Sequence, residues 1–194
     1  MAAWFNKRRP EEGDGVPEHL RPTLRRIRDM VVTPPPSPWK LRAEFSVGGL
    51  ESVGFGRKSE LLLVTSSTGL GVFDVGTGTR VARDPDGDVG DEHLLEAHGI
   101  GPLDGQRIRM SGMHGGGLPQ STHDGWFAES VVADWPRTTL LLVEPGSWIL
   151  GDAFGKPAAF TKIAVEDEVR AWGFSDTGKS LVLAISSTLT LFGR

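Results

Sequence analysis

The chain repeats one β-strand pattern about 120 residues apart, and this duplication limits the possible folds more than any other feature. Residues 54–73 contain a Gly-Phe pair, the run LLLVTSST and a closing Val-Phe pair. Residues 173–192 contain a second Gly-Phe pair, the run LVLAISST and a closing Leu-Phe pair. In each copy a polar turn separates aliphatic segments, which is typical of strands joined by hairpins. The sequence therefore predicts two copies of one antiparallel β-unit.

The size and composition suit one soluble domain with an extension. The chain has 194 residues, a net charge of −4 and no cysteine, which excludes disulfides, thiol catalysis and cysteine-ligated metals. The first ten residues lack the apolar stretch of a secretion signal, and no apolar run approaches the ~20 residues that cross a bilayer. We therefore expect a cytoplasmic protein that binds neither membranes nor nucleic acids.

One short amphipathic helix is predicted near residues 22–32. Pro22 suits the first position of a helix, and apolar residues then recur at helical spacing, at Leu24, Ile27 and Val31. The prolines at 34–36 cannot continue a helix. Seven basic residues against five acidic ones make the first 29 residues basic. We therefore divide the chain into a basic N-terminal tail with a proline-rich linker (1–39) and a single β-domain (40–194).

Two segments resemble the blades of WD40-type β-propellers. Residues 169–184 read VRAWGFSDTGKSLVLA and are similar to the inner half of a blade, where a Phe-Ser-x-Asp-Gly-Lys-like turn precedes an aliphatic strand. Residues 71–80 read GVFDVGTGTR and are similar to the outer half, where a Phe-Asp pair leads into a Thr-Gly turn. The resemblance implies antiparallel, blade-like sheets.

The number of blades that the chain can form is small. A propeller blade takes about 40–45 residues and a closed ring needs at least four blades, whereas residues 40–194 suffice for about three and a half. We therefore predict a mainly β fold whose antiparallel sheets form either an incomplete propeller-like domain or a two-sheet sandwich, preceded by the short helix.

A second pattern, at residues 173–180, satisfies the consensus sequence of a nucleotide-binding P-loop but lacks the helix that a P-loop requires. The segment reads GFSDTGKS, which satisfies G-x-x-x-x-G-K-[ST]. A P-loop must lead into a helix whose N-terminus holds the phosphates. The residues that follow, 181–192, are β-branched and aliphatic without helical period. We therefore interpret the segment as a polar hairpin turn.

The long loop predicted at 84–125, rich in Gly, Asp and His, is the candidate functional region. Six acidic residues occur between 84 and 96 with no lysine or arginine among them. Such a run suits a basic partner surface, and the candidate partner-binding acids are Asp86, Asp88, Asp91 and Glu92. Trp126 and Phe127, at the edge of the loop, are candidate aromatic anchors, with burial in the core as the alternative.

These features favour a non-enzymatic module that binds a protein partner, such as a small bacterial neutraliser or regulator. This interpretation predicts no catalytic residue, no cofactor and no metal site. One alternative is a metal-dependent enzyme that uses Asp91 or Glu92 together with the loop histidines, His93, His98, His114 and His123. Another alternative is a structural subunit of a larger assembly, attached through its N-terminal tail.

The hairpin interpretation of residues 173–180 makes a direct prediction for Lys179. Replacing an exposed turn lysine by alanine should change the free energy of unfolding by no more than about 0.5 kcal/mol. Denaturant unfolding of Lys179→Ala and the parent chain measures this difference. Saturable ATP binding that disappears in Lys179→Ala would contradict the interpretation.

Overall fold

The computed structural model describes residues 16–88 and 90–194, and there the chain is mainly β-structure with one α-helix. Helix α1 spans Arg21–Asp29 and follows a 3-10 turn at Glu18–Leu20; further 3-10 turns lie at Gly101–Leu103 and Gly151–Phe154. The strands are β1 (Lys40–Ser46), β2 (Leu50–Phe55), β3 (Leu61–Ser66), β4 (Gly69–Asp74), β5 (Thr79–Asp84), β6 (Glu96–His98), β7 (Arg107–Arg109), β8 (Ser111–Gly112), β9 (Phe127–Asp134), β10 (Arg137–Val143), β11 (Phe160–Glu166), β12 (Val169–Phe174), β13 (Ser180–Ile185) and β14 (Thr188–Gly193). Of the predicted basic tail, residues 1–15 lie outside the described residues.

The strands of this described part form four open antiparallel sheets. The central sheet has the order β1-β14-β13-β12, and the meander sheet has the order β5-β4-β3-β2-β8. A three-stranded sheet has the order β11-β10-β9, and β6 pairs with β7 in a separate hairpin. The predicted fold class, mainly β with antiparallel sheets and one short N-terminal helix, is confirmed.

The duplicated sequence forms equivalent parts of two different sheets. The first copy becomes β2, β3 and β4, and the second becomes β12, β13 and β14. Each set receives a further strand beside its last member, but from different parts of the chain. In the meander sheet this strand is β5, which follows β4 directly, whereas in the central sheet it is β1, which pairs with β14 from Lys40↔Gly193 to Ser46↔Thr188. The strand after the N-terminal helix therefore completes the sheet built by the C-terminal copy.

The central sheet is buried on both faces. Along β13, Leu181 and Leu183 pack against the three-stranded sheet, whereas Val182 and Ala184 pack against the meander sheet. Successive side chains of a strand point to opposite faces, so a strand buried on both sides needs an uninterrupted apolar run. The continuous run at 181–185 therefore reflects the position of β13 in the middle of the stack.

Two smaller elements cover the outer faces of the neighbouring sheets. Ile27 of α1 packs on Leu141 and Val143, on the face of the three-stranded sheet that points away from the central sheet. Ile108 of the β6–β7 hairpin packs on Leu63, on the corresponding face of the meander sheet. The fold is thus a stack of helix, three sheets and hairpin, with more layers than the two of a sandwich.

Helix α1 is shorter than the sequence predicts, because a buried lysine holds its C-terminal end. The Lys162 side chain is 7% exposed, and its Nζ donates to the carbonyl oxygens of Ile27 (3.0 Å), Arg28 (3.3 Å) and Met30 (2.9 Å). A cation at this position satisfies carbonyls that have no partner within the helix and favours the negative end of the helix dipole. Val31, predicted to lie on the apolar face, lies beyond the helix and is exposed.

The segment that resembles a P-loop is an antiparallel hairpin turn between β12 and β13, and no helix follows it. The carboxylate of Glu60, in the turn that precedes β3, accepts hydrogen bonds from the hydroxyls of Ser175, Thr177 and Ser180. Lys179 is exposed. The hydroxyl groups of this turn therefore join the two sequence copies to each other.

Not every tryptophan belongs to the core, and the predicted loop is more ordered than expected. Trp135 is 84% exposed at the β9–β10 turn, and Trp148 is exposed and stacks on Phe154, just before and within the 3-10 turn at Gly151–Phe154. The predicted loop at 84–125 contains β6, β7 and β8, which are too short to show a period in the sequence.

Replacing Lys162 by methionine should detach α1 from the three-stranded sheet. The change keeps the length of the side chain but removes charge-assisted hydrogen bonds to three carbonyls, each worth about 1.5–3 kcal/mol when a charged group is involved. We expect a loss of at least about 1.5 kcal/mol in the free energy of unfolding. Limited proteolysis should also cut faster between α1 and β1.

The matched control is Lys156→Met, because Lys156 is exposed. It should unfold and be cleaved like the parent chain. Equal stability and equal cleavage of both variants would show that Lys162 does not hold the helix.

Candidate functional site

The acidic loop after β5 is held in shape by its own aspartates. The carboxylate of Asp84 accepts the backbone N–H of Asp86 at 3.1 Å, and that of Asp88 accepts the N–H of Gly90 at 3.1 Å. An aspartate that accepts from the backbone two residues further on stabilises a turn. Asp84 and Asp88 of the DPDGD sequence thus serve turns that lead the chain from β5 towards β6.

Asp91 closes the tightest part of this loop. Its Oδ1 atom accepts the N–H groups of His93 at 2.9 Å and Leu94 at 3.0 Å, and its backbone exchanges two hydrogen bonds with Glu96. Leu95 takes a left-handed backbone conformation with φ +55°, which reverses the chain before β6. The loop therefore presents its remaining carboxylates from a defined backbone.

These carboxylates surround two adjoining depressions, which we call the acidic recess and define by Glu51, Asp88, Asp91, Glu92 and Glu96. The inner depression lies between the start of β2 and residues 110–115, and its lining includes His114. The outer one, of about 560 Å³, is lined by residues 88, 90–94 and 96–98 and by Arg107. The two depressions share Asp91, Glu92 and Glu96.

The recess carries an excess of negative charge. Glu96 pairs with Arg107 (Oε2–Nη1, 3.1 Å), and Glu92 lies 3.4 Å from Nε2 of His114. Backbone hydrogen bonds, the one from Leu94 first, hold the pKa of Asp91 below its usual value, so Asp91 is ionised at neutral pH. One arginine among five carboxylates leaves the surface anionic.

The structure brings together three of the four predicted acids. Asp88, Asp91 and Glu92 line the recess, whereas Asp86 is exposed beside it and does not line either depression. Within the described residues, the Asp86 carboxylate has no hydrogen-bond or ion-pair partner. Asp86 is therefore a free charge on the rim.

The predicted aromatic anchor does not belong to this site. Trp126 is 5% exposed and packs edge to face on Trp39, with ring centroids 6.1 Å apart. Phe127 is 36% exposed at the start of β9, but it does not line the recess. Trp126 is buried because the three-stranded and central sheets meet at this point. The exposed-anchor interpretation is therefore corrected for Trp126.

Sequence reasoning missed two acids and two apolar residues at this site. Glu51 comes from β2, 33 residues before the acidic run that begins at Asp84, and no local pattern connects the two. Glu96 belongs to the run, but its place in β6 becomes evident only from pairing with β7. Leu94 and Met113 are 60% and 50% exposed next to recess residues.

The loop histidines do not form a metal centre in the described part of the chain. His93 and His98 line the outer depression, His114 lines the inner one, and His123 lines neither. Among residues 16–88 and 90–194, no three His, Asp or Glu side chains are grouped closely enough to hold a metal ion. The metal-enzyme alternative therefore rests on the sequence alone.

Comparison of the chain with protein-family models, with curated proteins and with solved structures finds no match. The resemblance to WD40-type blades is therefore neither supported nor contradicted by a relative. Within the described residues, no helix has the length and apolar character needed to span a membrane. The functional interpretation depends on the chemistry of the recess itself.

Asp91 should matter for the shape of the loop, and a test can separate this role from charge. Asp91→Ala removes the acceptor of two backbone N–H groups, whereas Asp91→Asn keeps an oxygen acceptor and removes the charge. Hydrogen exchange at the amides of His93 and Leu94 should therefore accelerate strongly in Asp91→Ala and much less in Asp91→Asn. Asp86→Ala, at a free carboxylate, should leave both amides protected.

The same contact predicts a dependence on pH. Because the pKa of Asp91 is lower in the folded loop than in an unfolded chain, its stabilising effect is complete above about pH 4. That effect is lost as the pH falls through the lowered value. Exchange at the amides of His93 and Leu94, corrected for intrinsic rates, should rise there in the parent chain and stay flat in Asp91→Ala.

Proposed function

We propose that this protein is a non-enzymatic module that binds a protein partner through the acidic recess. The partner presents a basic surface, and a small bacterial neutraliser or regulator of such a protein fits this description. The observation that carries the proposal is the excess of carboxylates around the two adjoining depressions of the recess, contributed by β2, by the loop after β5 and by β6. Carboxylates in this arrangement attract a cationic surface over a distance of about a Debye length.

Apolar side chains beside the recess also suit an interface. Leu94 lines the outer depression and is exposed, and Met113, also exposed, donates its backbone N–H to the carbonyl of Glu51 at 2.8 Å. Exposed apolar groups within a charged rim supply the burial on which the affinity of protein interfaces depends. The acids then govern the rate and selectivity of association.

The turns within the loop favour binding as well. Asp84, Asp88 and Asp91 already order the loop through their own backbone hydrogen bonds. A loop that is ordered before association loses less conformational entropy when the complex forms. The acidic recess is thus a preformed surface.

Zero-length carbodiimide cross-linking in cells of the native host tests the proposal, because this chemistry joins carboxylates directly to lysines. The variant Asp86→Asn/Asp88→Asn/Glu92→Gln removes three charges and keeps the oxygen acceptors that shape the loop. The parent chain should capture a partner through the recess, and the variant should capture much less of it. A matched control, Glu18→Gln/Asp29→Asn/Asp104→Asn, neutralises three exposed acids elsewhere and should capture the partner normally.

The association kinetics with the captured partner complete the test. We expect the charge-neutralised variant to associate at least about tenfold more slowly at low salt, with a flatter dependence on salt and an unchanged thermal midpoint. A partner that cross-links through another surface, or associates equally fast with the variant and the parent chain, would overturn the proposal.

A further inference from the structure

Another depression, distinct from the acidic recess, lies where the two sequence copies meet, and its charge is opposite to that of the recess. This cleft, of about 250 Å³, lies between the turn after β2, strand β7, residues 117–119 and the β12–β13 turn. Three arginines line it, namely Arg57, Arg107 and Arg109. We call it the arginine cleft.

The positive charge of the cleft has little compensation. Within the described residues, the guanidinium groups of Arg57 and Arg109 have no hydrogen-bond or ion-pair partner, and that of Arg107 pairs only with Glu96. Asp176 also lines the cleft but forms no ion pair with any described residue. Guanidinium groups gathered around one depression repel each other, and an anion placed among them relieves this repulsion. In a chain of net charge −4 the cluster is a local reversal of charge.

The duplicated Gly-Phe pairs form the floor of the cleft. Phe55 and Phe174, which occupy equivalent positions in the two copies, both line it; Phe55 is half-buried and Phe174 is buried. The cleft therefore lies at the junction of the two β-units, and its arginines surround an apolar base.

The glycines of the same pairs hold the walls in place. A side chain at Gly54 would collide with the carbonyl oxygen of Arg109, and one at Gly173 would approach Leu118 Cβ to 2.6 Å. Gly173 has φ +146°, and the neighbouring Phe174 N–H donates to the carbonyl of Pro119 at 2.7 Å. Both walls thus rest directly on the repeated glycines, which makes the cleft a preformed feature of the fold.

We propose that the arginine cleft binds an oxyanion, phosphate or carboxylate, carried on a small apolar group. Guanidinium groups donate pairs of parallel hydrogen bonds to both anions. Phe55 and Pro119 supply apolar contact for the body of the ligand. Open space beside Gly117, where an added Cβ would meet no atom within 4 Å, leaves room for that body. This function is separate from partner binding at the acidic recess.

Calorimetric titration of the full chain with phenyl phosphate, benzoate, inorganic phosphate and acetate, at constant ionic strength set by sodium chloride, tests the proposal. We expect saturable binding with a Kd of about 1 mM or tighter for at least one of the aromatic anions. The matching anion without the aromatic ring, inorganic phosphate for phenyl phosphate or acetate for benzoate, should bind at least about threefold more weakly, because it lacks the apolar body. The stronger of phenyl phosphate and benzoate identifies the head group that the cleft prefers.

Two variants locate the binding. Arg57→Gln/Arg109→Gln should weaken it at least about tenfold, since two charged hydrogen-bond donors to the anion are lost. Arg25→Gln/Arg42→Gln removes the same charge from exposed arginines outside the cleft and should bind like the parent chain. The single variants Arg57→Gln and Arg109→Gln should each weaken binding as well, and every arginine variant should keep the thermal midpoint of the parent chain, because both arginines are exposed.

Several results would overturn the proposal. These are the absence of saturable binding with every probe, equal weakening by the two arginine pairs, or full binding by Arg57→Gln/Arg109→Gln. The recess variant Asp86→Asn/Asp88→Asn/Glu92→Gln should retain anion binding, so failure of the partner-binding function is distinguishable from failure of this one.

Discussion

The rest of this structure depends on a central sheet that is buried on both faces. Its strand β13 is apolar at successive positions, because one set of side chains packs against the three-stranded sheet and the other against the meander sheet. Neither neighbour shares strands with it, so these two apolar interfaces, together with the Glu60 hydrogen bonds to the β12–β13 turn, hold the stack together. The outer elements, α1 and the β6–β7 hairpin, then cover faces that the stack leaves open.

Pairing of β1 with β14 ties this stack to the N-terminal part of the chain. It places Trp39, which immediately precedes β1, in the core with Trp126 and Phe174. The guanidinium of Arg194 lies 4.9 Å from the Trp39 ring and pairs with Asp124, whose pKa is held far below its usual range by this contact. Residues near both ends of the described chain therefore meet at one place.

Charged groups in this protein serve structure and surface in different ways. Glu60 joins the turns of the two sequence copies, Lys162 ends α1, and Asp91 shapes the loop from which the acidic recess is built. The acidic recess and the arginine cleft carry opposite charge and adjoin at Arg107, which lines both.

The sequence by itself determined the β-units, because their signals are local. The repeated aliphatic runs and turns predicted β2–β4 and β12–β14, and the lack of helical period after Lys179 was enough to interpret residues 173–180 as a hairpin. Only the tertiary structure decided how the layers stack, which residues form each site and which tryptophans are buried. Glu51 reaches the recess from β2, and Trp126 is buried by a neighbouring sheet. The Gly-Phe pairs, visible as a repeat, converge on one cleft only because the sheets stack face to face. Such contacts join residues far apart in the chain, and no local period in a sequence records them.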